Sequence, residues 1–326
     1  MHFRLLLRLF LLLQSAVEWF MKNEQFEYRT YADFLAEYFR GKVQKIGIDA
    51  GFSCPNRDGS ISREGCAFCN NESFVPNYCS PRVSISEQLQ RGIYFFRRKY
   101  PAMSYLAYFQ AYTGTYAPIE VLRKRYEEAL KVPGVVGLVI ATRPDCLSED
   151  VLDLLSELTE RTFVHVEIGI ETVHDRTLRL IGRGHDYQCA ADAVMRLAIR
   201  GIKVGGHMIL GLPGENESDI LEQARCIAQL PLETLKLHQL QIIRNTPMAK
   251  LFHSSPELFI PMTPLKYASL VLDYIALLPA TIALDRFLNQ SPPNLLETTG
   301  WGIKNYQFNH LLCQEWQRRR LQEVQR

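Results

Sequence analysis

The sequence predicts an α/β fold built on a parallel sheet, and three observations carry that expectation. Six short apolar runs alternate with amphipathic stretches between residues 43 and 243, and strands separated by helical crossovers build right-handed βαβ units. Two of the runs, GVVGLVIAT and IKVGGHMILG, are apolar almost throughout, as parallel strands covered on both faces require. Polar and glycine-rich segments follow the strand ends: TGTY (113–116), TRPD (142–145), ETVHDR (171–176) and GLPGE (211–215). Ligands of α/β folds sit at such ends. Periodicity leaves two closures open, a doubly wound sheet and a full or partial barrel.

Each element has a local reason. VQKIGIDA (43–50) predicts a first strand running into a loop with three cysteines. Residues 84–100 predict a helix, because Ser84 and Glu87 stand at capping-box spacing. YLAYFQAY (105–112) predicts the second strand, and 118–131 a helix with Pro118 near its first turn. The third strand is 134–142, followed by a helix over 148–160 with Ser148 as N-cap. The fourth strand is 163–171, and the next helix, 187–201, stops at Gly201. A fifth strand (202–211), a helix (217–230) and a sixth strand (233–243) complete the series. After residue 244 the rhythm weakens into a C-terminal extension.

The chain has 326 residues, 22% charged and 47% hydrophobic, which suits one large domain or two small ones. A net charge of +2 excludes a strong global field for nucleic acid or membrane, leaving only local clusters. Eight cysteines are too sparse for a disulfide scaffold, so a C-x-x-C points to metal or redox work in a reducing compartment. The stretch LLLRLFLLL resembles a weak signal peptide, but Arg8 interrupts it and it is too short to span a bilayer. Met21 opens a natural soluble start. Residues 1–25 are therefore expected to be an extension or misassigned start, with a surface-lying anchor as the alternative. A cytoplasmic location without a membrane partner is expected.

The loop GIDAGFSCPNRDGSISREGCAFCN separates Cys54 from the pair Cys66 and Cys69 by eleven intervening residues. A zinc ribbon needs a second pair, and Cys79, Cys146, Cys189, Cys226 and Cys313 are isolated. A thioredoxin-like pair would leave Cys54 unexplained. Three thiolates suit a four-iron cluster that keeps one iron open, whereas Cys79 could close the site as a fourth ligand. From the cysteines alone a cluster, a zinc site and inert thiols all stay open.

The stretch from about Glu27 to Thr246 resembles the radical S-adenosylmethionine superfamily in its elongator-like branch. CPNRDGSISREGCAFCN is similar to the cluster loop of the YhcC/YtqA group, whose first spacing is longer than the usual C-x-x-x-C-x-x-C. VEIGIET, RLIGRGHD and HMILGLPGE follow in the matching order. The resemblance implies a partial (β/α)6 TIM-like barrel over residues 26–245 and a mostly helical extension over 246–326. It implies that Cys54, Cys66 and Cys69 bind a [4Fe–4S] cluster whose open iron takes the amino and carboxylate groups of S-adenosylmethionine. One electron, from a donor such as flavodoxin or ferredoxin, would cleave the sulfonium to methionine and a 5′-deoxyadenosyl radical. Elongator-like relatives act on the wobble uridine of tRNA. The YtqA group is associated with trimming a carboxymethylaminomethyl side chain there to aminomethyl. Transfer RNA is thus the expected macromolecular partner. The rival readings are a metal- or cluster-containing RNA-binding module without radical chemistry and a structural barrel with vestigial cysteines.

On that reading Glu171, at the end of the fourth strand, would accept the ribose hydroxyls, and Arg183 would hold the methionine carboxylate. The bland alternative is that the two pair with each other. Thr113, Gly114 and Thr115 would meet the amino group, and Gly211 and Leu212, ahead of Pro213 and Gly214, would approach the adenine; either segment could be a plain turn. Phe68 would pack near the adenine or belong to the core. Glu167 interrupts an apolar strand and, if it points inward, needs a partner. Gln110, His165, His207, His238, Gln239 and Gln241 are substrate-facing candidates, although a strand histidine is more often a satisfied core group. Arg143 and Asp145 would face the mouth or form a loop salt bridge. Basic clusters at 97–99, 123–125 and 318–320 read as solvated helix faces. With Trp301, Lys304 and Tyr306 they could form an RNA-facing surface.

Overall fold

Seven parallel strands stand in chain order: β1 (Val43–Ile48), β2 (Ser104–Phe109), β3 (Val135–Thr142), β4 (Phe163–Glu171), β5 (Lys203–Leu210), β6 (Thr234–Gln239) and β7 (Ala283–Leu284). This computed structural model describes residues 28–98 and 102–324. The sheet curls into a half-barrel, and β1 and β7 are its two edges. The N-terminal extension expected over 1–25 lies outside the described residues. No helix among the described residues is long and apolar enough to cross a membrane.

The six expected strands are all present, within a few residues of their expected ends. The short β7, from the C-terminal segment, was not expected; two residues are too few to show a period. It pairs with β6 through Thr234 and Leu235. The crossover helices are Ile85–Arg97, Ile119–Leu130, Glu149–Thr159, Tyr187–Ile199 and Glu217–Ile227. Side chains of Ser84, Ser148, Asp186 and Asn216 cap their helices by accepting backbone N–H bonds, which satisfies donors the helix itself cannot. The C-terminal segment supplies the helices Pro247–Ser254, Pro264–Ala276 and Asn305–Val324.

Strand alternation divides the side chains between two environments. Ile46, Ile48, Ala107, Phe109, Leu138, Ile140, Val166 and Ile168 pack outward in the main core under the crossover helices. The inner face is built in layers. At its base the short helix Tyr31–Ala36 packs Phe34 beside Phe163 and His165. The His165 ring meets the hydroxyls of Tyr31 (3.3 Å) and Thr234 (3.0 Å). One layer higher, Glu167 points inward and finds the partners a buried carboxylate requires. It accepts from Tyr108 Oη (2.6 Å), Lys45 Nζ (2.7 Å), Lys236 Nζ (2.8 Å) and His207 Nε2 (2.8 Å). Above this ionic floor, at the C-terminal strand ends, the barrel opens.

Candidate cofactor site

The chain leaving β1 turns sharply after Cys54, the N-cap residue of a single turn, Pro55–Asp58. Gly59 follows at φ 99°, a conformation that favours glycine. The loop then folds back so that Asn56 O accepts from Gly65 N at 2.7 Å. The C-x-x-C segment is fixed through its second residue: Ala67 N donates to Ile181 O (2.8 Å), and Ala67 O accepts from Met248 N (3.0 Å). Ala67 packs in a satellite cluster with Leu178, Ile181, Leu212 and Met248, and Phe68 leans against it. These contacts hold the thiols without using them.

Cys54, Cys66 and Cys69 line one cavity at the C-terminal ends of the strands, about 1210 Å³ of empty space with its open mouth. Phe68, Thr113, Glu171 and Arg183 line the same cavity, as do Arg143, Gln110, His207, His238, Gln239 and Gln241. The other expected site residues stand behind its wall. Gly114 O accepts from Tyr126 Oη at 2.7 Å, and a Cβ on Gly114 would lie 2.8 Å from Ala141 O. Thr115 Oγ1 meets Thr142 Oγ1 (2.5 Å) and Cys146 O (2.6 Å). Leu212 is fully buried in the satellite cluster, and Gly211 makes the bend before it at φ 89°. His165 lies below the floor and Asp145 holds Arg143 by two bonds, 2.7 and 2.9 Å.

The sulfur of Cys66 sits among donors: Asn56 Nδ2 at 3.3 Å and Arg183 Nη1 at 3.5 Å. Arg183 also donates to Gly169 O (2.7 Å) and stands 3.4 Å from Glu171. Burial pushes the Glu171 carboxyl up, against the pull of Arg183 and Arg143. Burial also pushes the Cys69 thiol up, to about 11, while Arg57 opposes this. Glu171 itself has φ 68°, at an irregularity in the β4–β5 register; a non-glycine residue there is strained, which is common where a side chain must be aimed. Asn56 and Arg57 were not singled out from the sequence. Both belong to the CPNR turn beside Cys54, and only the fold shows that they reach the second and third cysteines.

The thiol arrangement separates the metal readings. Two thiolates on one zinc, each at about 2.3 Å, can be at most about 4.6 Å apart. Among the described residues the triad of potential ligands that converges within 4.8 Å is His174, Asp219 and Glu222, not the three cysteines. Thiolates on separate irons of a cluster are spread more widely. Cys79 does not line the cavity; its Sγ faces Gly47 O at 3.1 Å, and burial pushes its thiol up to about 12. Orphaned buried atoms mark the same cavity wall: Thr113 Oγ1 and Arg183 Nε have no hydrogen-bond partner. Three spread thiols beside unmet polar groups suit a cluster with a polar cofactor against it.

Comparison with known proteins agrees with this geometry. A profile described as "Radical SAM superfamily" matches residues 58–227, and one described as "Radical_SAM C-terminal domain" matches 232–318. The chain is 36% identical to "Uncharacterized protein YtqA" of Bacillus subtilis over 91% of its own length and 92% of that protein's. It is 43% identical to "Protein YhcC" of Escherichia coli over 66% of this chain and 69% of that one. A more distant match, 29% identical over 48% of this chain and 34% of the other, is a "tRNA uridine(34) acetyltransferase" of Dehalococcoides mccartyi. Among solved structures, Elp3 of the archaeon Methanocaldococcus infernus shares the fold. Its TM-score is 0.63 at 16% identity, covering 86% of this chain and 64% of that one. The chain therefore belongs to the radical SAM superfamily and to its YhcC/YtqA group, and its cofactors are a [4Fe–4S] cluster and S-adenosylmethionine.

Proposed function

We propose that this radical SAM enzyme binds its cluster through Cys54, Cys66 and Cys69 and modifies the wobble uridine of tRNA, trimming carboxymethylaminomethyl to aminomethyl. The observation that carries the cluster assignment is that these three thiols and Arg183 line one cavity, with Cys79 turned away. The bound cofactors supply the radical that begins the reaction by hydrogen abstraction; the chain supplies position and shielding. Arg183, buried beside Cys66, offers its unmet Nε to the methionine carboxylate. Thr113 Oγ1, also unmet, offers an acceptor to the amino group. Glu171, aimed by its strained backbone, accepts the ribose hydroxyls. Phe68 gives the adenine an apolar face, while Gly114, Thr115, Gly211 and Leu212 shape the loops from behind.

The tRNA part rests on kinship with elongator-like proteins, including the tRNA uridine(34) acetyltransferase above. The basic clusters give it little support. Arg123 pairs with Glu157, Arg125 with Glu128, and Arg318 and Arg319 with Glu315, as solvated helix faces do. Trp301 packs against Tyr267 at 5.3 Å, leaving Tyr306 as the exposed aromatic of that segment. Lys99 lies outside the described residues.

Anaerobic reconstitution, iron and sulfide analysis, and incubation of reduced protein with S-adenosylmethionine test the first part. The expected product is 5′-deoxyadenosine, with reduced flavodoxin or ferredoxin as electron donor. Zinc-only protein without this product would instead favour an RNA-binding module. Nucleoside analysis of tRNA from wild-type and deletion cells tests the substrate, and unchanged wobble uridines would remove it.

A further inference from the structure

Arg286 follows Asp285 directly after β7 and lines the same cavity, on the side of the ionic floor. Its surroundings would ordinarily neutralise it, yet they do not. Both nearby carboxylates are committed elsewhere: Glu167 to Lys45, Lys236, His207 and Tyr108, and Asp285 to Lys45 (2.7 Å) and Lys236 (3.3 Å). The Nε of Arg286 is buried and has no hydrogen-bond partner. His238, on β6, also lines the cavity and has a buried Nδ1 without a partner. A buried polar group without a partner is costly, more so a charged one, so two such groups on residues that line one cavity point to a ligand that completes them.

Charge narrows the ligand. At the floor, away from Arg57, Arg143, Arg183 and Glu171 around the cysteines, three cations, Lys45, Lys236 and Arg286, stand against two carboxylates, Glu167 and Asp285, which leaves one positive charge there. Burial holds His207 and His238 neutral near pH 7, so neither adds to it. A phosphate dianion would overshoot this balance, whereas a monocarboxylate matches it and takes a guanidinium in two parallel bonds.

We infer that Arg286, with His238 on the same wall, is the subsite for a carboxylate of the substrate. The inference rests on the cavity being the site proposed above, and there it is Arg286 that would grip the carboxymethyl end of the side chain to be trimmed.

The test is phenylglyoxal labelling of the reconstituted, S-adenosylmethionine-loaded holoenzyme, with the Arg286 peptide followed by mass. Arg286 should label, and acetate should slow that labelling at least threefold while inorganic phosphate at equal concentration slows it less. Absence of labelling, no effect of acetate, or stronger protection by phosphate would each overturn the subsite. The measurement uses no tRNA. Acetate protection with unchanged tRNA nucleosides would therefore remove the tRNA reading alone. Altered nucleosides without acetate protection would remove the subsite alone.

Discussion

Glu167 on β4 and Lys236 on β6 pair at 2.8 Å across the inside of the half-barrel, their side chains 2% and 4% exposed. Burial pushes the Glu167 carboxyl up, but Lys236 and Lys45 outweigh it and hold the group well below the usual range. Removing one partner of such a pair strands the other in a dry interior. Lys236→Met should cost about 3 kcal/mol of stability, the lower end for a broken buried pair because Lys45 remains. The urea midpoint should fall with an unchanged slope. The double variant with Glu167→Gln should recover part of the loss. A midpoint shift worth under about 0.5 kcal/mol for Lys236→Met would mean that the pair is not held as described.

Acid should destabilise the protein well before its carboxylates titrate. Burial lowers His165 to about 3, and burial with Lys236 nearby lowers His207 to about 4. Both rings stay neutral in the folded state below the unfolded value of about 6.5. The unfolded chain then binds more protons, so stability falls as pH drops from about 6.5 toward 4. Each ring should contribute a slope of about 1.4 kcal/mol per pH unit in that window. Below it, the depressed Glu167 and Asp285 add their own loss as they protonate. Burial also holds His185 and His238 neutral in that window. Urea unfolding between pH 7.5 and 5 measures the slope, and His165→Gln should reduce it by about a quarter. A slope unaltered by that change would remove His165 as a source.

The parallel sheet and its crossovers were legible because period and caps are local. Ser84 and Ser148, for instance, sit beside the helices they start. The three cysteines were legible as a group because they share one loop, but their choice of metal was not, since that depends on how far apart the fold sets the sulfurs. Glu167 was noticed as a charge in an apolar strand; its partners Lys45 and Lys236 come from β1 and β6, and no sequence interval connects them. Arg286 was missed for the same reason. Its meaning lies in the carboxylates that are already engaged around it, and these are brought together only by closure of the sheet. Thr115 and Leu212 show the converse: a loop can be adjacent to a site in sequence while a side chain on it turns into the packing behind.

Asn56 should tune the cluster rather than merely hold the loop. Its Nδ2 donates to Gly182 O (2.8 Å) and lies 3.3 Å from both Arg183 O and Cys66 Sγ. Asn56→Ala removes these donors from a fully buried position, at a cost of about 1–3 kcal/mol. Hydrogen bonds to the sulfurs raise a cluster's reduction potential, so the potential should move to a more negative value. Redox titration of reconstituted protein, followed by electron paramagnetic resonance, reads that shift. An unchanged potential in a variant with full iron and sulfide content would show that Asn56 acts on the backbone alone.

Gly169 offers a way to disturb the proposed S-adenosylmethionine contacts without touching a charged group. A Cβ built there would lie 2.5 Å from Arg183 Nη2 and 2.7 Å from Glu171 Oε1, so something must move. Both obstructing atoms are ends of flexible side chains, which can yield while the strand stays in place. Arg183 is already held through Gly169 O at 2.7 Å, and the pair with Glu171 spans 3.4 Å, so a methyl group between them pries the two apart. Gly169→Ala should therefore weaken S-adenosylmethionine binding about tenfold, equivalent to about 1.4 kcal/mol. Iron and sulfide content should match the wild type, because the cysteine loop is anchored through Ala67 to Ile181 and Met248 instead. Titration of the reconstituted protein with the cofactor separates the two effects. Wild-type affinity in a fully loaded variant would mean that neither Arg183 nor Glu171 contacts the cofactor, and loss of iron would mean that the methyl group disturbs the loop rather than the pair.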